Sequence, residues 1–67
     1  MSKYYKCKNK VFDLTKFTHF EIEPVDSPVM THSINFYYYD KVMGVVLFES
    51  RKTAEWELEI IYDLLNK

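Results

Sequence analysis

The sequence predicts an α+β domain: a small antiparallel sheet of three to four strands with one C-terminal helix packed across it, in the order β-β-β-β-α or β-β-β-α. Three observations carry this. Residues 17–23 alternate between apolar and polar side chains; residues 34–39 and 45–49 are rich in aromatic and β-branched residues with a short link between them; residues 53–65 place apolar side chains at intervals of three and four. The chain of 67 residues forms a single domain, residues 1–67, with residues 1–3 expected to be disordered.

Each element has a local reason. Tyr4 to Lys8 alternates loosely, as a short first strand does. In Val11-Phe12-Asp13-Leu14-Thr15, Asp13 and Thr15 suit side-chain-to-backbone hydrogen bonds that bend the chain. Phe17 to Glu23 is a half-buried strand, with Phe20 and Ile22 on one side and His19, Glu21 and Glu23 on the other. Pro24 to Ser33 holds two prolines, Asp26 and Ser27 and reads as a loop. Ile34 to Tyr39 is the next strand, Asp40 to Gly44 its turn, and Val45 to Glu49 the hairpin partner. Ser50 is placed as an N-cap for a helix over Thr53 to Leu65. Its inward stripe is Ala54, Leu58, Ile61 and Leu65, flanked by Tyr62 and Leu64, while Trp56 and Ile60 form a second apolar pair pointing elsewhere.

Composition excludes several classes. A domain of this size buries only about 60% of the surface its unfolded chain exposes, so support from a partner or a second copy is expected. Cys7 is the one cysteine, which rules out an intrachain disulfide and favours the reducing cytoplasm. The longest apolar run, Val45 to Phe48, is far too short to span a membrane, and no signal-peptide core is present. Charge is uneven: the first sixteen residues carry +4 from Lys3, Lys6, Lys8, Lys10 and Lys16 against Asp13, and the formal total of −1 leaves −5 for the remainder.

Catalytic signatures are missing. His19, His32, Cys7 and Asp26 show no metal-ligand spacing. Lys6 and Lys8 flank Cys7 but point to the opposite strand face. Ser50 is not set in a nucleophile elbow, and one glycine allows no phosphate-cradling loop. Glu21 and Glu23 read as solvated residues of a polar face. The expectation is therefore a protein without enzymatic activity, cofactor or small-molecule substrate.

What remains is surface. If Ile34, Phe36 and Tyr38 face the helix, Tyr37 and Tyr39 face away, joined by Val45 and Leu47 or by Val46 and Phe48. A lone antiparallel sheet normally turns a polar face to solvent, so this one is expected to meet something. The N-terminal segment with Tyr4 and Tyr5 folding over that face is the internal alternative. The expected function is a protein-interaction module that occludes or recruits a partner protein, using Tyr37, Tyr39, Trp56 and Ile60, of the kind a phage or mobile element encodes to inhibit a host factor. One alternative is single-stranded nucleic-acid binding, in which Lys3, Lys6, Lys8 and Lys10 meet phosphates while Tyr4 and Tyr5, with Tyr37 and Tyr39 on the sheet, stack on bases. The acidic helix, with Glu55, Glu57, Glu59 and Asp63, makes nucleic acid the weaker reading. The other alternative is a homodimer packed through the Trp56/Ile60 stripe or the tyrosine face.

Overall fold

A computed structural model describes residues 3–66. In chain order these form β1 (Tyr4–Cys7), β2 (Lys10–Asp13), a 3-10 turn (Leu14–Lys16), β3 (His19–Pro24), β4 (His32–Tyr38), β5 (Lys41–Phe48) and α1 (Arg51–Leu65). The fold is α+β, and its five strands divide into two antiparallel sheets, a β1-β2 hairpin and a three-stranded β3-β4-β5 sheet. The division follows from Asp13. Its carboxylate accepts from the Thr15 amide (3.0 Å) and the Thr15 hydroxyl (2.6 Å), which turns the chain into the 3-10 segment and ends β2 there. Those two bonds hold the Asp13 carboxyl below its ordinary value. Val11 and Phe12, upstream of the bend, extend and pair with Lys6 and Tyr5.

Of the segment expected to be disordered, residues 1 and 2 lie outside the described residues. Lys3 is anchored at both ends: its carbonyl accepts from the Leu14 amide (2.9 Å), and its ammonium donates to the Leu65 carbonyl at the end of α1.

The second turn departs from expectation. Tyr38 pairs with Lys41, so the hairpin closes on the two residues Tyr39 and Asp40, and β5 begins at Lys41 rather than Val45. Gly44 lies inside β5, opposite Phe36. A β-bulge beside it inserts Met43 between the pairs Phe36↔Gly44 and Tyr37↔Val42. A Cβ at Gly44 would stand 3.2 Å from the Phe12 ring, so the glycine permits the N-terminal hairpin to approach β5. His32 and Ser33, expected in the loop, open β4.

The core forms where everything converges on β4. Ile34 and Phe36 are fully buried, with Tyr5, Leu14, Val46, Phe48, Ala54 and Ile61 around them. Phe36 alone takes rings from Tyr5, Phe12, Phe17 and Phe20, the nearest being Phe12 at 4.5 Å between centroids. Each buried leucine, isoleucine, valine or phenylalanine of this set contributes about 1.5–3 kcal/mol by leaving water. Ser50 caps α1 as expected, accepting from the Thr53 amide at 3.2 Å, and Ala54 and Ile61 lead the predicted stripe inward with Leu58, Leu64 and Leu65 half-buried beside them. Tyr38, expected in the core, is 49% exposed instead: it is the last residue of β4, next to the turn, at the margin of the sheet.

The N-terminal hairpin does not cover the far face of the sheet. Tyr5 and Phe12 pack on Phe36 from the helix side, and the Tyr5 hydroxyl donates to Glu57 of α1 at 2.6 Å. Hairpin and helix thus form one layer, side by side, over the three-stranded sheet. Burial first, then the Glu57 bond, pushes the Tyr5 phenol well above its ordinary pKa.

Candidate interaction surfaces

The far face of the sheet has two halves. On β3 and β4 the side chains satisfy one another: Tyr37 donates its hydroxyl to Glu23 (2.8 Å), the Asn35 amide donates to the same carboxylate oxygen, and Ser33 donates to Asn35 (2.7 Å). His19 stacks on the Tyr37 ring at 4.5 Å and lies 3.1 Å from Glu21. The Tyr37 phenol sits above its usual value: the Asn35 contact lowers it, and the Glu23 bond, burial and the charges of Glu23 and Glu21 outweigh that pull. Tyr37 is therefore half-buried and engaged within its own sheet. On β5 the same face is apolar and open, with Val42, Val45 and Leu47 exposed.

The hairpin end carries a cluster of exposed apolar side chains. Tyr38 and Tyr39 meet edge to face at 4.6 Å, and Val42 and Met43 stand beside them, all exposed. Tyr39 is 67% exposed and holds φ of 58°, the left-handed region that glycine usually occupies. Its partner in the turn, Asp40, has no positive φ, so the sign pattern is that of a type II′ turn with tyrosine in the glycine position. Thr18 fixes this arrangement. Its hydroxyl accepts from the Tyr39 amide (2.7 Å) and donates to the Tyr37 carbonyl (3.2 Å), while its own amide donates to that carbonyl at 2.8 Å. A ring pair is presented on a braced, strained turn.

The helix surface is separate. Trp56 is 71% exposed and Ile60 39% exposed, both away from the inward stripe. A groove of about 890 Å³ runs between the first half of α1 and β3, floored by Ile22 and Leu58, with Trp56, Lys52 and Glu59 on its rims.

The basic N-terminal residues are dispersed. Tyr5 is 2% exposed, so its ring is out of reach of a base. Lys3 is tied to Leu65, and Lys8 donates to the Leu47 carbonyl (3.0 Å) with its ammonium 6.0 Å from the Phe48 ring centre. Lys6, Lys10 and Tyr4 remain exposed. The stacking platform expected from Tyr4 and Tyr5 together is not assembled, because successive residues of a strand face opposite ways and the hairpin turns Tyr5 inward.

Among the described residues, no group of three or more His, Cys, Asp and Glu side chains converges as metal ligands do, and no helix is long and apolar enough to cross a membrane. Cys7 is half-buried on the inner face of β1. Thr18, Tyr38, Val42 and Met43 were missed in the sequence. The available signal was Gly44: a glycine within an apolar strand marks a bulge or a close approach as readily as a turn. Compared with known proteins, the chain matches no protein-family model, no curated protein and no solved structure.

Proposed function

We propose that the chain is a non-enzymatic protein-interaction module whose principal anchor is the aromatic hairpin end, acting by occluding or recruiting a partner protein. The observation that carries this is Tyr39. A left-handed conformation costs a non-glycine residue about 1–2 kcal/mol, and the turn spends it on holding a large ring in solvent. A glycine there would fold more easily, so the tyrosine is explained by what its ring meets.

Pre-organisation supports the same reading. Tyrosine gives a large amphipathic contact area with few rotatable bonds, and the Thr18 brace removes further freedom before binding, which lowers the entropic cost of association. Val42 and Met43 widen the contact with adaptable apolar surface. In this reading the chain works in the cytoplasm, where Cys7 stays reduced, and covers a functional surface of its partner, as a phage- or mobile-element-encoded inhibitor does.

Affinity purification from the native host, followed by reconstitution with the purified partner, tests it. Tyr39→Ala should weaken binding of that partner by at least tenfold, the scale of a binding hot spot, with thermal stability changed little, since alanine keeps the same backbone strain. Equal affinity of the folded variant overturns the assignment of the hairpin end.

A further inference from the structure

The two outer edges of the three-stranded sheet are finished differently, and we propose that the unfinished one, β3, takes an extended peptide of alternating basic and apolar residues as an added antiparallel strand. This site is separate from the hairpin end and does not rest on that reading. In the order β3-β4-β5, each outer strand has one side without a neighbouring strand. On β5 that side is blocked: the Leu47 carbonyl accepts from Lys8 (3.0 Å), the bulge at Met43 breaks the ladder, and the Phe12 ring stands against Gly44. Bulges, lysines and a covering segment are the means by which sheet edges are kept from pairing. Between Phe20 and Ile22, β3 has none of these among the described residues.

The phase of the ladder says which main-chain groups face outward. Val25 donates to the Thr31 carbonyl at 2.8 Å, one step past the pair Pro24↔His32. Bonded and non-bonded pairs alternate in an antiparallel ladder, so His19, Glu21 and Glu23 exchange bonds with Tyr37, Asn35 and Ser33. Phe20, Ile22 and Pro24 therefore turn their main-chain groups away from β4. No hydrogen bond among the described residues reaches the amides of Phe20 and Ile22 from that side. Pro24 adds a carbonyl without a donor and ends the run. Donors and acceptors at every second residue, roughly 7 Å apart, fit an extended backbone.

The side chains flanking this edge specify which strand fits. On the helix side, α1 overhangs β3 and leaves two hollows in a row. One, of about 890 Å³, lies at Ile22 beside Leu58 and Trp56; the other, of about 230 Å³, lies at Phe20 beside Leu58 and Tyr62. An added strand whose bonded residues stand opposite Ile22 and Phe20 puts those two side chains into the hollows, a large apolar one against Trp56 and a smaller one beside Tyr62. Trp56, 71% exposed in the isolated chain, then gains a contact.

On the far face, the residue between those two stands opposite Glu21, and the one before them opposite Glu23. Across the sheet from these carboxylates lie Asn35 and Ser33, then Val45 and Leu47, so no lysine or arginine of the sheet faces them. Glu23 already accepts from Tyr37 and Asn35, whereas Glu21 is exposed, with the His19 ring 3.1 Å away. The helix-side rim carries both Lys52 and Glu59 and selects neither sign. The far face therefore favours lysine or arginine, and the matching segment reads basic, large apolar, basic, small apolar. A second copy fits poorly. Two β3 strands paired about a two-fold axis, in the registers that use most of the strand, set Glu21 opposite Glu21 or Glu23, and like charges directly opposite destabilise a ladder.

A capped, fluorescently labelled peptide Thr-Lys-Leu-Lys-Val-Thr, titrated with the full chain by anisotropy and followed by amide hydrogen exchange, tests this. Binding should protect the Phe20 and Ile22 amides, which exchange freely in the unbound chain. N-methylation of the leucine and valine, whose amides point at β3, should weaken binding at least tenfold; N-methylation of the two lysines, whose amides point away, should change it by less than about twofold. Glu21→Lys, at an exposed position, should weaken binding several-fold and be rescued by glutamate in place of the lysine between leucine and valine. Absence of saturable binding up to about 1 mM, or equal or reversed sensitivity to the two methylation patterns, overturns the proposal. So does protection of Phe20 and Ile22 that rises with protein concentration without peptide, which makes a second copy the occupant. Tyr39→Ala should bind the peptide as the parent does, so failure of this site and failure of the hairpin-end reading are seen in different experiments.

Discussion

The turns Lys8-Asn9 and Tyr39-Asp40 meet the same steric demand and spend it differently. Each closes a two-residue hairpin, and each places a non-glycine residue at φ of 58° in its first position. Lys8 turns its side chain back on the molecule, where the ammonium bonds the Leu47 carbonyl and sits near the Phe48 ring, tying the hairpin to β5. Tyr39 is 67% exposed, and its ring meets that of Tyr38 edge to face. Strain at Lys8 is offset by tertiary contact of its own side chain; at Tyr39 the Thr18 brace holds the backbone and Tyr38 packs on one edge of the ring, and most of the ring still stands in solvent. A strained residue that is repaid inside the fold is structural, and one that is not is a candidate for binding.

The comparison presumes that the two hairpins belong to one cooperative unit, and Phe36 is where that is most easily broken. Phe36→Ala removes the ring on which Tyr5, Phe12, Phe17 and Phe20 converge and should cost about 3–5 kcal/mol, read as a lower urea midpoint with a single transition. Two separate transitions would show that the hairpins fold independently.

Tyr5→Phe tests how firmly the N-terminal hairpin is docked. It leaves the half-buried Glu57 carboxylate without its donor and should cost about 1–3 kcal/mol at neutral pH. The pH dependence has a definite sign. The folded phenol titrates above its ordinary value of 10.0, so its contribution is fully present below that pH and is lost as pH rises beyond it. Chemical denaturation should therefore show the gap between parent and Tyr5→Phe narrowing above pH 10, and a constant gap would remove the phenol from the account.

The smallest effect separates the two turns directly. Tyr39→Gly relieves the left-handed strain, less the extra entropy of glycine in the unfolded chain, and should stabilise the fold by about 0.5–1 kcal/mol while abolishing partner binding. Lys8→Gly relieves the same strain but gives up the Leu47 bond, so its thermal midpoint should stay near that of the parent. If both glycine variants gain equally, Lys8 is not repaid by its contact and the contrast between the turns disappears.

By itself the sequence determined the fold class, the N-cap at Ser50, the inward stripe of α1, the alternation of β3 and the hydrogen-bonded bend at Asp13 and Thr15. All are set by neighbours within a few positions, where propensity and periodicity act. Only the tertiary structure decided that Val11 and Phe12 pair with β1, that Gly44 serves the Phe12 ring rather than a turn, and that Tyr38 leaves the core. It also turned Tyr5 inward and left Tyr37 bonded to Glu23, while Tyr39 alone of the aromatic run stands largely free. Each depends on a contact between residues far apart in the chain: Phe12 with Gly44, Tyr5 with Glu57, Thr18 with Tyr39. Local pattern says which face a side chain takes, but what stands opposite that face is set by how distant segments pack.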